Sequence, residues 1–148
     1  MYEDWLVNLA VVGGTLAAVV LSVLTHYEGL SLTSRGLARL AGGQRRVKVL
    51  YGIASVLALH VAEIWIFGLM IWALLQWPAC GSLGPGVHHL FDYIYFSAAT
   101  FTTVGFGDIA PVGPVRFVSG TEALTGFVLV TWSASFTFLE MEQFWRSR

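Results

Sequence analysis

Long runs of apolar residues with almost no charge divide this chain into three segments that are separated by more polar stretches. Residues 6–26 contain no charged side chain, residues 49–77 contain only Glu63, and residues 115–138 contain only two charges. A helix of about 20 consecutive apolar residues spans the hydrocarbon core of a bilayer. The pattern therefore predicts an all-α membrane protein with three transmembrane helices.

Composition supports this assignment. The chain is 56% hydrophobic and 11% charged, whereas soluble domains carry about 25% charged residues. Acidic residues, Glu3 and Asp4, precede the first apolar segment, and the segment is long, so we interpret it as a retained helix and not as a cleaved signal peptide. The single cysteine, Cys80, excludes an intrachain disulfide framework. It either pairs between subunits or remains a free thiol.

Basic residues are distributed unevenly. Five of the eight lie between the first and second apolar segments: Arg35, Arg39, Arg45, Arg46 and Lys48. By the positive-inside rule, the link over residues 27–48 and the C-terminus are cytoplasmic, and the N-terminus is outside a plasma (inner) membrane. The five side chains are candidate contacts for anionic lipid head groups. The link is either a short amphipathic helix that ends at Gly42-Gly43 or a solvated basic loop.

The most specific motif lies between the second and third segments: Thr102-Thr103-Val104-Gly105-Phe106-Gly107-Asp108. Four copies of such a segment around one axis can replace the water of a potassium ion with backbone carbonyl oxygens. That ribbon needs backbone angles that alternate in hand, and glycine at alternate positions reaches positive φ cheaply. Thr103 can add a hydroxyl oxygen, while Val104 and Phe106 are expected to pack against surrounding protein. The motif differs from TVGYG, the potassium selectivity filter, only in Phe for Tyr.

The residues before this motif, 91–102, are too short and too polar to cross a membrane. Asp92 is a candidate N-cap, and Tyr93, Phe96 and Thr100 recur at helical spacing. We predict a re-entrant half-helix whose C-terminal end points at the motif. The negative end of its dipole favours a cation there.

The order of helix, half-helix, TVGFGD and helix closely resembles the pore module of potassium channels. It is most similar to small bacterial single-pore proteins related to the two-pore-domain potassium channel family. Residues 60–65 (HVAEIW) resemble the HxxEIW stretch of their outer helix, and residues 122–126 (EALTG) resemble their inner-helix ExxxG. The sequence Thr131-Trp132-Ser133 follows. The resemblance covers about residues 47–138.

The resemblance implies a homotetramer, because one filter needs a strand from each of four identical subunits. It also implies that potassium is held at Thr103, Val104, Gly105, Phe106 and Gly107. Asp108 would then buttress the outer mouth. Potassium would be the permeant ion, and no cofactor is expected.

The predicted organisation has three parts: an extra N-terminal transmembrane helix with its basic link (1–46), a pore domain (47–140) and a short cytoplasmic tail (141–148). The pore domain divides into an outer helix (47–77), a pore helix (91–102), the filter (103–108) and an inner helix (115–140).

The chain departs from the resembling channels at the filter support. Tyr95 and Phe96 stand where many potassium channels have paired tryptophans, and Phe106 lacks the hydroxyl that tyrosine would provide. We therefore expect fewer hydrogen-bond donors to brace the filter. Selectivity is expected to survive, with altered prolonged conduction or inactivation.

Two inner-helix residues each have two open interpretations. Gly126 is either a gating hinge or a packing glycine. Glu122 either accepts a hydrogen bond from the pore helix, with Tyr95 as the candidate donor, or reaches the outer interface.

His60 and Glu63 lie three residues apart on one face of the second helix. Ionisable residues at membrane depth are costly and are functional candidates by default. One hypothesis is a proton-sensitive latch in which Glu63 bonds to His60 or to Trp132 and Ser133. The other is a structural hydrogen-bonded pair that joins the three helices. A metal site is disfavoured, because these two residues offer two ligands and the helices show no evident third.

Other function classes are less well supported. No nucleophile–base set or cofactor loop indicates an enzyme. A nonselective monovalent cation channel and a non-conducting membrane scaffold or regulatory subunit are the alternatives, but both usually alter a filter that is complete here.

Overall fold

The computed structural model describes residues 4–40 and 45–146, and this part of the chain is helical apart from its loops. The elements in chain order are α1 (Trp5–Arg39), α2 (Arg45–Leu75), a 3-10 turn (Pro78–Cys80), α3 (Leu90–Phe101) and α4 (Arg116–Arg146). By length and apolar composition, α1, α2 and α4 can each cross a membrane. The three long apolar helices predicted from the sequence are confirmed.

The first helix is much longer than predicted. Asp4 caps it by accepting hydrogen bonds from the backbone N–H groups of Leu6 and Val7, and the helix then continues for 35 residues. That corresponds to about 52 Å, against about 30 Å for the hydrocarbon core. The prediction that it ends near residue 26, before a separate link, is wrong, because no proline interrupts residues 27–39. Gly42-Gly43 lie outside the described residues.

Small residues set how closely α1 approaches α2. A Cβ atom at Gly29 would lie 2.5 Å from Leu59 Cδ1, and one at Gly36 would lie 2.3 Å from the Tyr51 hydroxyl. Ser22 is also buried on this face of α1. The absence of larger side chains at these positions therefore lets the two helices pack closely along most of α1, including its C-terminal half.

The remaining boundaries differ from the predictions by one to six residues. Helix α2 ends at Leu75 and not at residue 77, and α3 begins one residue earlier than predicted. Helix α4 continues to Arg146, so most of the predicted tail over 141–148 is helical. Residues 139–146 contain neither glycine nor proline, and nothing in them stops the helix.

Two loops, one after α2 and one before α4, clamp the start of α4 to the end of α2. Ser82 and Val112 form an isolated antiparallel bridge with N–O distances of 3.0 and 2.8 Å. The Val115 N–H donates to the carbonyl of Cys80 at 2.9 Å. Gly81, with φ of 118°, passes so close to Val112 that a Cβ atom would lie 2.0 Å from its carbonyl oxygen.

Cys80 lies beneath this clamp. Its side chain is fully buried within one protomer, and burial raises the pKa of its thiol. A disulfide to a neighbouring subunit would require the loop to open, so the geometry favours the free-thiol alternative.

Candidate functional site

The backbone of the motif after α3 alternates in hand. The φ angles of Thr103, Gly105 and Gly107 are 60°, 53° and 82°. Positive φ at the two glycines agrees with the prediction. Thr103 was not expected to share it, because a left-handed conformation costs a non-glycine residue about 1–2 kcal/mol.

Backbone hydrogen bonds to α3 hold this conformation. The Thr103 N–H donates to the carbonyl of Thr100 at 2.9 Å, and the Gly105 N–H donates to the carbonyl of Ala99 at 3.0 Å. Backbone carbonyl groups in the last turn of α3 thus accept hydrogen bonds from backbone N–H groups in the first half of the motif. Strain at Thr103 is offset by these contacts, and strained backbone of this kind clusters at functional sites.

The side chains of the motif are exposed in a single protomer. Val104 is 57% exposed and Phe106 is 69% exposed. The expectation that both pack against surrounding protein is therefore not met within one chain. The Phe106 ring has one described aromatic neighbour: it lies parallel to the Tyr95 ring at a centroid distance of 6.2 Å.

Tyr95 braces the end of the motif. Its hydroxyl donates to Asp108 Oδ2 at 2.8 Å, and this bond raises the pKa of Tyr95. The prediction that Tyr95 is the donor to Glu122 is wrong, because its hydroxyl is directed to Asp108. Tyr95 thus supplies one hydrogen-bond donor at the position of one tryptophan, whereas Phe96 and Phe106 have no side-chain donor, so the expectation of fewer donors stays a prediction.

The start of α3 is held by a different residue from the one predicted. His89 is the N-cap, and Asp92 lies three positions later. Asp92 Oδ2 accepts hydrogen bonds from the backbone N–H groups of His88 at 2.9 Å and His89 at 2.8 Å. These two bonds lower the pKa of Asp92. The prediction that Asp92 is the N-cap is therefore wrong. Asp92 occupies the third helical position, where its carboxylate reaches back to the backbone of the N-cap.

Glu122 is fully buried and contacts Ser97 of α3, which sequence reasoning missed. Ser97 Oγ also lies 2.8 Å from the carbonyl oxygen of Ile64 on α2. A serine hydroxyl has only one proton to donate. Ser97 can therefore donate to Ile64 and remain hydrogen-bonded to Glu122 only when the Glu122 carboxyl group is the donor to Ser97 Oγ. The second open interpretation of Glu122, an outward-reaching carboxylate, does not agree with its burial.

Gly126 lies where α4 crosses the end of α3. A Cβ atom at this position would lie 2.0 Å from the carbonyl oxygen of Phe101 and 2.7 Å from its carbonyl carbon. Helix α4 continues without interruption through Gly126. The geometry supports the packing interpretation, and the hinge stays a prediction.

Below the motif, a buried cluster of three ionisable residues joins α1 to α2. His60 Nδ1 lies 2.8 Å from Glu63 Oε2, and His26 Nδ1 lies 2.7 Å from Glu63 Oε1. His26 and Glu63 are fully buried, and His60 is 14% exposed. The predicted His60–Glu63 contact is present, whereas His26 was not identified from the sequence.

His26 also lies between Glu63 and α4. Its ring centroid lies 5.0 Å from that of Trp132, and its Nε2 lies 3.4 Å from Ser133 Oγ. The hypothesis of direct bonds from Glu63 to Trp132 and Ser133 is therefore wrong, because both carboxylate oxygens already face imidazoles. The prediction that the helices offer no evident third metal ligand is also wrong, because His26 lies beside His60 and Glu63.

The predicted lipid contacts differ in accessibility. Arg35, Arg39 and Arg46 are exposed, whereas Lys48 is buried within the protomer. The side chain of Arg45 lies outside the described part. Three of the five proposed contacts can therefore reach a head group without rearrangement.

Known proteins share sequence with this chain. A family model described as "Ion channel" matches residues 55–143, which is more than half of the chain. Protein LctB of Geobacillus stearothermophilus is 30% identical over 40% of this chain and 63% of its own length. Protein LctB of Bacillus caldotenax is 40% identical over 27% of this chain and 30% of its own. The chain thus covers less than two thirds of these relatives, and no solved structure matches it.

Proposed function

Because the chain belongs to the ion channel family, we propose that four copies of it form a potassium-selective channel in a plasma membrane. The observation that supports potassium selectivity most strongly is the positive φ at Thr103, Gly105 and Gly107. This alternation turns successive carbonyl groups toward the same side of the strand. Carbonyl oxygens arranged in this way around a common axis replace the hydration shell of potassium.

In the proposed channel, each subunit contributes the carbonyl groups of residues 103–107 and the hydroxyl of Thr103. Helix α3 is a pore helix that ends immediately before this strand, so the negative end of its dipole stabilises an ion at the inner mouth. Asp108 and Tyr95 fix the outer end of the strand through their 2.8 Å hydrogen bond. Residues of the same subunit therefore support the filter strand at both its inner and its outer end.

A tetramer accounts for the apolar surface that one protomer leaves open. Large hydrophobic side chains are more than half exposed on the motif and on α4: Val104, Phe106, Phe117, Leu124 and Phe127. A filter strand cannot close a pore alone, and three identical partner subunits would cover its outward side chains. The four inner helices would then line the pathway below the filter.

The charge pattern supports one orientation. The exposed arginines of α1 and α2 would lie on the cytoplasmic side, with the motif opening outside. Arg35, Arg39 and Arg46 would contact anionic head groups there, and the extension of α1 would carry two of them beyond the hydrocarbon core.

A nonselective monovalent cation channel is the second candidate. Phe106 lacks the hydroxyl that would anchor the strand to neighbouring protein, and a wider filter would discriminate less. The Tyr95–Asp108 bond favours the selective alternative, because it restrains the strand on the side facing α3.

Flux of potassium and sodium into liposomes that contain the purified protein tests the proposal. We expect potassium-selective flux that barium blocks, because barium has nearly the size of potassium with twice the charge. Gly105→Ala is the matched variant: a Cβ atom there meets nothing within 4 Å in the protomer, but its φ of 53° disfavours alanine. It should abolish selective flux while native mass spectrometry still detects tetramers. Equal sodium and potassium flux in the unmodified protein would support the nonselective candidate.

A further inference from the structure

We propose that His26, His60 and Glu63 form a binding site for one divalent transition-metal ion of the zinc class in each protomer. Each residue offers one ligand atom, and these atoms all lie within 4.8 Å of one another. The proposed filter does not use these residues, so the metal site is a separate property of the chain.

The ligand chemistry selects the class of ion. Two imidazole nitrogens and one carboxylate oxygen suit Zn²⁺ and neighbouring ions such as Co²⁺ and Ni²⁺. Calcium and magnesium prefer sites made of oxygen atoms. Three protein ligands leave the fourth tetrahedral position for water. The His60 side chain is 14% exposed, so an ion would enter the site past His60.

The distances permit closure around an ion without moving a helix. Ligands bound to one tetrahedral zinc at about 2.1 Å lie about 3.4 Å apart. The Nδ1–oxygen pairs are now 2.7 and 2.8 Å apart. The ligand atoms therefore need changes of about 1.5 Å or less, which side-chain rotation in His26, His60 and Glu63 can provide.

The surroundings resemble the support that metal-bound histidines need. A metal ion on His26 Nδ1 requires the proton of the neutral ring to be on Nε2, and Ser133 Oγ lies 3.4 Å from that atom as an acceptor. On the same face of α1, one turn before His26, Ser22 has a buried hydroxyl with no hydrogen-bond partner among the described residues. A water or an ion is one partner that such a buried hydroxyl can have.

The charge of the cluster also favours a cation. A buried carboxylate is costly unless a positive group compensates it. A divalent ion at this position supplies both ligation and a compensating positive charge to the Glu63 carboxylate. Bound there, the metal would fasten α1 to α2, beside Phe101 of α3 and Trp132 of α4.

Metal content of the purified full chain in detergent tests the proposal. The protein is treated with a chelator, dialysed, and titrated with Zn²⁺ for stoichiometry and with Co²⁺ for its visible absorption. We expect one ion per protomer and a higher melting temperature with zinc. In His26→Gln, His60→Gln and Glu63→Gln, the affinity should fall at least tenfold and the stabilisation should disappear. The double variant His88→Gln/His89→Gln is the control, because these exposed loop histidines could bind metal adventitiously.

Three results would overturn the proposal: no binding by the unmodified protein, unchanged binding in the His60 and Glu63 variants, or loss of binding in the loop control. The first result would leave a purely hydrogen-bonded cluster. If His26→Gln does not fold, the variants at the partly exposed His60 and at Glu63 decide the outcome. Neither assay depends on ion flux, so failure here is distinguishable from failure of the proposed channel function.

Discussion

Substitution of Gly126 by alanine should destabilise the protein, although alanine is the better helix former. At this position α4 rests directly on the backbone of α3. An added Cβ atom would lie 2.0 Å from the Phe101 carbonyl oxygen, 2.7 Å from its carbonyl carbon and 2.9 Å from its Cα atom. All three are backbone atoms, so no change of rotamer can relieve the clash.

The magnitude follows from two opposing terms. Alanine for glycine in a helix interior contributes about 1 kcal/mol of stability. Carbon and oxygen atoms normally approach no closer than about 3.3 Å, so α4 must withdraw by about 1 Å or more from the end of α3. Overpacking of this kind costs about 1–3 kcal/mol, and a backbone clash belongs at the upper end. We expect a net loss of about 2 kcal/mol, or roughly 30-fold in the unfolding equilibrium.

Thermal unfolding of the detergent-solubilised protein measures this loss. Gly13→Ala in α1 and Gly120→Ala in α4 are the controls, because a Cβ atom at either position meets nothing within 4 Å in the protomer. These variants should be as stable as the unmodified protein or more stable. Gly126→Ala should also reduce potassium flux, since Phe101 lies two residues before the proposed filter strand.

One result would refute the packing argument. If Gly126→Ala is as stable as the controls, α4 does not rest on Phe101 as the structure has it. A stable Gly126→Ala tetramer with altered channel opening would instead favour the hinge interpretation.

Four further predictions follow from the site. Tyr95→Phe removes the hydroxyl that donates to Asp108, so we expect a lower potassium-to-sodium flux ratio with tetramers intact. Glu122→Gln should retain stability because its amide can donate as a protonated carboxyl does, whereas Glu122→Leu should cost about 1–3 kcal/mol in thermal unfolding. The lowered pKa of Asp92 means that its stabilisation is present above the usual aspartate pKa and is lost as pH falls through the folded value. Asp92→Ala should therefore flatten the acid limb of the melting-temperature profile. Cys80 should react with maleimide at pH 8 only after unfolding, because it is buried and its pKa is raised.

Hydropathy predicted the three long helices because a bilayer demands about 20 apolar residues from each. Glycine spacing likewise predicted the two positive φ angles at Gly105 and Gly107. The positive φ of Thr103 could not be predicted, because threonine has no intrinsic preference for that region and the hydrogen bonds to α3 hold it there.

Contacts between distant segments were the main source of error. His26 lies 37 residues from Glu63, and only the packing of α1 on α2 brings them together. One signal was present in the sequence, since His26 falls on the buried stripe of α1 four residues after Ser22. A histidine on such a stripe needs a buried partner, and Glu63 is the one charged residue of the second apolar segment, residues 49–77.

The reversal potential of the current through purified channels in a planar bilayer tests the central claim most directly. Equal concentrations of potassium chloride and sodium chloride are placed on opposite sides of the membrane. A filter formed by residues 103–107 predicts a current that reverses far from zero, in the direction set by potassium permeation, and that barium blocks. A reversal potential close to zero would contradict potassium selectivity, even if the protein conducts.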